Sequence, residues 1–329
     1  MAQKHNLTIR VVSIIGGILT AFFFLGFLAL ARVLHSETSY LLTGSLLIIA
    51  TLAISRFVVR SFLDAMNITL YIAGCVLVAF GCGNHINIFF ITLIGISILT
   101  FLLSRGFILP FLSVITFIIS LFGEITHLFS SSYPLEIAAV PVMAAFLLTN
   151  LFEVKIYGLL NNGISRFSHC LSKYMPFHYG LFVSCLVLMG GLSIEFMMLG
   201  INHLAIFSIL SVFMWIGILV MVQRIMKVMQ VDNPIRQTGI YILCLIICLP
   251  TVSAPYLSGS LLLILICFHY GYKAECAASL LLFIYAVSKY YYDLNLSLLI
   301  KSITLFFVGI AFIAVWYFFT QKRIRHEKV

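Results

Sequence analysis

Long apolar runs, broken at short intervals by small polar clusters, set the pattern of this chain. A helix needs about 20 apolar residues to cross a bilayer. Measured that way, the chain divides into twelve runs: 11–31, 39–55, 64–82, 86–104, 107–123, 134–151, 178–194, 202–222, 238–254, 257–271, 274–289 and 294–319. The pattern predicts an all-α polytopic bundle of about twelve transmembrane spans, forming a single integral membrane domain over 1–329. Six spans fall in 1–151 and six in 178–329, with a connector over 152–177. Runs five, ten and eleven are short for a full crossing, so re-entry by one pair stays open. The first run, Val11 to Ala31, follows Lys4 and Arg10 and ends on Ala29-Leu30-Ala31, the outline of a signal peptide. It is longer than a signal core of about 7–15 residues, so it reads as an uncleaved span.

The basic residues test the count. With the N-terminus inside, the inside segments hold Lys4, Arg10, Arg56, Arg60, Arg105, Lys155, Arg166, Lys173, Arg224, Lys227, Arg236, Lys273, Lys322, Arg323, Arg325 and Lys328. Of the 19 Lys and Arg residues, only Arg32 and Lys289 fall outside, and Lys301 lies within the last run. This is the alternation expected from the positive-inside rule, and an error of one span would scramble it downstream. Both termini are predicted to be cytoplasmic.

In the connector, Asn161-Asn162-Gly163 marks a turn. Ile164, Phe167, Leu171 and Tyr174 then recur at helical spacing, with Ser165, Arg166, Ser168, His169, Ser172 and Lys173 on the other face. That predicts a short helix lying in the cytoplasmic interface, either a docking surface for a partner or anionic lipid or a plain connector with one wet face. The basic tail from Gln321 reads as a topology anchor that attracts anionic headgroups. Asp64-Ala65-Met66-Asn67 and Asp293-Leu294-Asn295 open two runs alike, a match too short to argue duplication.

Composition narrows the class. The chain is 63% hydrophobic and 9% charged, against about 25% charged in soluble domains, so the bilayer is its solvent. The formal charge of +9 is accounted for by the inside loops. No basic run carries interleaved aromatics, which argues against nucleic acid as a partner. The eight cysteines, at 75, 82, 170, 185, 244, 248, 267 and 276, lie in or at the ends of apolar runs, the pattern of packing residues and not of a disulfide framework. Cys244 and Cys248, four apart, offer a soft-metal pair, against which packing is the plainer reading. No GxSxG, phosphate-binding GxxxxGK[ST] or dinucleotide GxGxxG signature occurs. Gly81-Cys82-Gly83 and Gly190-Gly191 sit at run ends, and Pro141 and Pro250 fall where they would kink a span. No catalytic residue, cofactor or metal ligand set is predicted.

Charge inside a membrane is expensive, about 2.5–3.5 kcal/mol at mid-depth, so the few buried charges are the candidates. Lys301 lies about two turns into the last run. It either snorkels to the outer interface or pairs inside the bundle, with Ser297 four residues before it and Glu136 and Glu195 on the matching side. Asp293 is two turns away, too far for a pair within one straight helix, and Glu275 is on the opposite side. Tyr290, Tyr291 and Tyr292 sit where an aromatic belt belongs, with a ligand platform as the sharper reading. The outer side also gathers His85, Glu124, His127, Glu136, Glu195 and His203. Glu124 and His127 share a face if span five continues through them. Carboxylate with imidazole can bind a divalent cation or relay protons, although no ligand spacing accompanies them.

RVVSIIGGILTAFFFLGFLALA (residues 10–31), SFLDAMNITLYIAGCVLVAFG (61–81) and YYYDLNLSLLIKSITLFFVGIAF (290–312) together resemble a bacterial multi-pass membrane family, domain-of-unknown-function family 4401. The most recognisable part is an aromatic pair, a leucine-rich start, Lys-Ser and a glycine, matched by Tyr291, Tyr292, Leu298, Leu299, Lys301, Ser302 and Gly309. Asp293 is not part of that pattern. The resemblance implies the bacterial inner membrane, with other integral membrane proteins as partners. It assigns no activity and no catalytic residue, and it lends weight to a structural role for Lys301 and Ser302.

Three function classes follow. A non-enzymatic membrane component working with a partner is favoured by the lack of catalytic motifs and soluble domains. A carrier or channel for a small solute or ion fits the six-and-six layout. The loop Ser55–Asp64, however, lacks the Gly-x-x-x-Asp-Arg/Lys pattern of the major facilitator superfamily. An intramembrane enzyme on a lipid-linked substrate would need the outer acidic and histidine set.

Overall fold

Backbone N–H and C=O groups in hydrocarbon have no water to bond, so an apolar chain satisfies them within helices. The computed structural model of the protein follows this rule. It describes residues 7–30, 36–57, 61–83, 86–104, 106–128, 134–152, 168–199, 204–230, 234–252 and 254–293, which form eleven α-helices and one 3-10 turn. The helices are α1 (Leu7–Leu30), α2 (Glu37–Phe57), α3 (Ser61–Gly81), α4 (Ile86–Leu103), α5 (Ile108–Leu128), α6 (Pro134–Leu151), α7 (Ser168–Leu199), α8 (Leu204–Val228), α9 (Pro234–Cys248), α10 (Pro255–Tyr270) and α11 (Lys273–Asp293). Each overlaps one of the first eleven apolar runs. The twelfth, 294–319, lies outside the described residues.

Among the described residues, five stretches are long and apolar enough to cross a membrane: Glu37–Ser55, Leu63–Gly81, Ile108–Leu128, Lys173–Ile194 and Ile206–Val228. They suggest a membrane protein. The exposed apolar side chains agree, among them Phe22, Phe23, Leu42, Phe80 and Val187, since outward apolar surface on so many helices suits lipid and not water.

Two expectations shift. α5 runs on to Leu128, so Glu124 and His127 do lie on one helix. α7 begins at Ser168, and the later part of the expected surface helix is its opening turns. Lys173, placed by the sequence on a wet face, is buried. Its ammonium reaches across to the last carbonyls of α4, bonding Phe101 O and Leu102 O, the latter at 2.6 Å. A cation at a helix C-terminus is favoured by the helix dipole, and the same group lies 5.5 Å from the centre of the Phe101 ring.

The prolines act by position. Pro141 lies within an unbroken α6. Pro250 lies in the 3-10 turn Leu249–Thr251, where α9 stops, and Pro255 opens α10, the position where its missing N–H costs nothing. α10 closes on Gly271, whose left-handed backbone (φ 76°) lets Tyr272 N–H bond Cys267 O at 3.0 Å. This is the glycine-closed helix end that reverses the chain into α11.

The main core joins α5, α6, α7, α8 and α10 through residues such as Phe146, Phe182, Met189, Phe207, Met214 and Leu263. Smaller clusters tie α2, α3, α4 and α5 (Ile48, Tyr71, Val78, Leu93, Leu109) and α1, α2 and α3 (Ala21, Leu47, Leu70, Leu77).

Candidate functional site

Charged side chains are almost never fully buried unless paired, so buried ionisable groups locate the site. At one end of the bundle the C-terminal turn of α6, the opening turns of α7 and the first turn of α11 converge. They bring together Asn150, His178 and Glu275, all at most 3% exposed. His178 Nε2 lies 3.1 Å from Asn150 Oδ1. His178 Nδ1 lies 3.5 Å from Glu275 Oε1, an ion-pair separation longer than a good hydrogen bond.

The protonation pattern follows from this geometry. Asn150 Nδ2 donates to Phe146 O at 2.7 Å, which fixes the amide and leaves Oδ1 as an acceptor. His178 Nε2 must therefore carry a hydrogen. The other ring nitrogen faces a carboxylate oxygen.

The rest of the shell keeps water out. Tyr272 and Phe146 approach the His178 ring at 5.0 and 5.1 Å between centres, and Tyr174 at 6.1 Å. Around Glu275, Ser279 Oγ donates to Glu275 O at 2.8 Å, and Cys267 Sγ lies 4.0 Å from Glu275 Oε2 and 3.7 Å from Ser279 Oγ. The glycine-closed end of α10 brings Tyr272 and Glu275 to this place, and the first turn of α11 suits an acidic group. The arrangement sets two ionisable groups against each other in an enclosed, largely apolar place. An apolar cavity of about 200 Å³ lies between α4, α5 and α7, lined by Phe101, Val114, Phe117 and Phe177 among others. Its lining is apolar apart from Ser97 and Ser113, and Asn150, His178 and Glu275 do not border it.

The residues singled out from sequence are scattered by comparison. Lys301 and Ser302 lie outside the described residues, as do His85 and His203. Asp293 ends α11 and Glu195 lies near the end of α7, and neither side chain is described. Tyr291 and Tyr292 pack edge to face at 5.8 Å, with Tyr292 exposed. Glu124 is buried with Oε2 lacking a hydrogen bond, while His127, one turn on, is exposed. Glu136 is buried at the start of α6. Among the described residues no three His, Cys, Asp or Glu side chains converge as a metal site. The seven cysteines with described side chains are free, and five of them are buried. Sequence reasoning passed over Asn150 and His178 and set Glu275 aside, because each sits at the edge of an apolar run, where a polar residue reads as wet. The signal that could have found them was their shared side of the predicted topology.

A family model described as "Domain of unknown function (DUF4401)" matches residues 6–322, nearly the whole chain. The chain belongs to that family. No curated protein and no solved structure matches it.

Proposed function

For a member of the DUF4401 family with an ionisable pair sealed in its helical core, we propose a proton-linked carrier of a small solute or ion, in which His178 and Glu275 hold the coupling proton. The protein is read as a twelve-span protein of the bacterial inner membrane, with both termini cytoplasmic and the pair at the cytoplasmic end. The run 294–319 supplies the twelfth span. One observation carries the proposal: a His–Glu pair 3.5 Å apart, enclosed where charge is costly. Ionisable groups facing the interior of a membrane bundle mark proton and substrate paths far more often than they mark packing. Proton loss at this pair requires either water or a rearranged core. That requirement supplies the coupling between proton movement and a change of access.

From sequence alone a partner-dependent component stands ahead of a carrier. The pair supports the reverse order, because a scaffold has no use for a buried ionisable pair. The test is a pH step across proteoliposomes on a solid-supported membrane. A transient charge movement is expected in the wild type and its loss in E275Q. A wild type without current, or an E275Q variant with the same current, overturns the carrier reading and returns weight to a partner, which co-purification in nanodiscs then identifies.

A further inference from the structure

The end of the bundle that holds Glu275 also carries a set of exposed cations. Their placement follows from how α8 and α10 pack. Ser211 Oγ of α8 bonds Thr251 O, just before α10 begins, at 2.9 Å. Further along, a Cβ built on Gly217 of α8 would lie 2.7 Å from Leu262 Cδ2 of α10. The two helices therefore run side by side in the same direction. Seven residues beyond Gly217 and Leu262 stand Arg224 and His269, on nearly the same helix faces as that contact. The Arg224 guanidinium is within electrostatic reach of the His269 ring. Lys227 is one turn on from Arg224, and Lys273 lies just past the Gly271 turn, at the first position of α11. Arg224, Lys227 and Lys273 are exposed and His269 is half-buried.

Nothing nearby offsets this charge. Among the described residues no carboxylate pairs with any of the three cations, and Glu275, two residues from Lys273, is buried against His178. The helix dipole favours Lys227 in the last turn of α8, but it disfavours Lys273 at the start of α11. Lys273 thus stands where its own helix repels it. Large apolar side chains border the same cations. Val228, four residues after Arg224, is 71% exposed, and Phe268, beside His269, is 72% exposed.

This combination selects the occupant. A soluble anion would satisfy the cations and leave Val228 and Phe268 in water. The headgroup boundary of a bilayer satisfies both, since phosphate there adjoins the first methylenes of the chains. Arg224 and Lys227 lie at the end of the apolar stretch Ile206–Val228, which is the depth of that boundary. A zwitterionic lipid carries its own cation beside the phosphate and has no net charge to give. We propose that Arg224, Lys227, His269 and Lys273 hold the phosphate of an anionic phospholipid whose chains run against Val228 and Phe268. The proposal rests on the helices lying in a bilayer and not on proton coupling at His178 and Glu275.

The test titrates the delipidated full chain in detergent with dioctanoyl phosphatidylglycerol or dioctanoyl phosphatidylcholine and counts bound lipid by native mass spectrometry. The wild type should bind phosphatidylglycerol saturably and in preference to phosphatidylcholine. R224Q combined with K227Q should bind it about 30-fold more weakly, the loss expected for two basic residues at an anionic surface. E275Q and H178N should bind as the wild type does, which separates this site from the carrier reading. R323Q combined with R325Q removes two charges from the tail and should also leave binding intact. Equal binding of the two lipids overturns the site, because the cations then only reach water. An equal loss in the tail variant overturns it as well, because overall charge and not a site then draws the lipid. Displacement by inorganic phosphate at constant ionic strength overturns the lipid assignment in favour of a free anion. Should the R224Q and K227Q combination fail to fold, K273Q alone decides: a loss of about fivefold upholds the site, and unchanged binding sinks it.

Discussion

The α1–α3 end of the molecule and the α6–α7–α10–α11 end hold together by different physics. In the first, α2 and α3 come so close that their backbones touch. A Cβ built on Gly44 would lie 2.9 Å from Gly74 O, and one on Gly74 would lie 2.8 Å from Ile48 Cγ1 and 3.1 Å from Gly44 O. In the second, helices meet over large side chains, and an ionisable pair with its amide partner sits inside. In lipid no hydrophobic drive presses helices together, so association relies on close packing through small residues or on hydrogen bonds across helices. This chain uses one device at each end. The packed end tolerates no added volume, and the polar end tolerates no lost partner.

The largest effect should come from breaking the pair. Glu275→Ala or His178→Ala leaves the remaining partner buried without compensation, a loss of about 3–5 kcal/mol. Removing both at once, as His178→Leu with Glu275→Leu, should cost less than the worse single change, because no orphaned charge remains. Urea or thermal unfolding in nanodiscs measures all three. If the double variant loses the sum of the singles, the two groups do not interact, and the contrast between the ends collapses.

Lys173 links α7 to α4, which lies between the two ends. Lys173→Met keeps the side chain's length and its apolar stem but removes both bonds to the carbonyls of Phe101 and Leu102. The expected loss is about 1.5–3 kcal/mol, the usual range for a hydrogen bond to a charged group. The damage should be local, with faster hydrogen exchange in the last turn of α4 and none in α2 or α3. Unchanged exchange in α4 would mean that the ammonium does not hold that helix end.

How legible each end was follows from the length scale of its physics. The helices were readable because the bilayer imposes a run length, and Val11–Ala31 or Ile206–Val228 carries that length in consecutive residues. The close approach of α2 and α3 left a weaker trace, two glycines among 21 in the chain. The pair left almost none. Asn150 and His178 are 28 positions apart and Glu275 is much further on, so only the fold makes them neighbours. Lys173 misled for a related reason. Its helical wheel places it with polar residues, and the carbonyls that hold it belong to a helix about 70 residues earlier.

The smallest effect separates packed from outward-facing glycines within the same kind of helix. Gly44→Ala sets a methyl against Gly74 O and the Val78 backbone nitrogen, both 2.9 Å away. Neither can swing aside, so α2 and α3 must separate at a cost of about 1–3 kcal/mol. Gly95→Ala in α4 meets nothing within 4 Å and faces outward. A helix-interior glycine replaced by alanine without strain gains about 0.5–1 kcal/mol. The two substitutions add the same methyl and should move stability in opposite directions in one unfolding assay. If Gly44→Ala is as harmless as Gly95→Ala, backbone contact between α2 and α3 is not what joins that end, and side-chain packing must hold it as it holds the other.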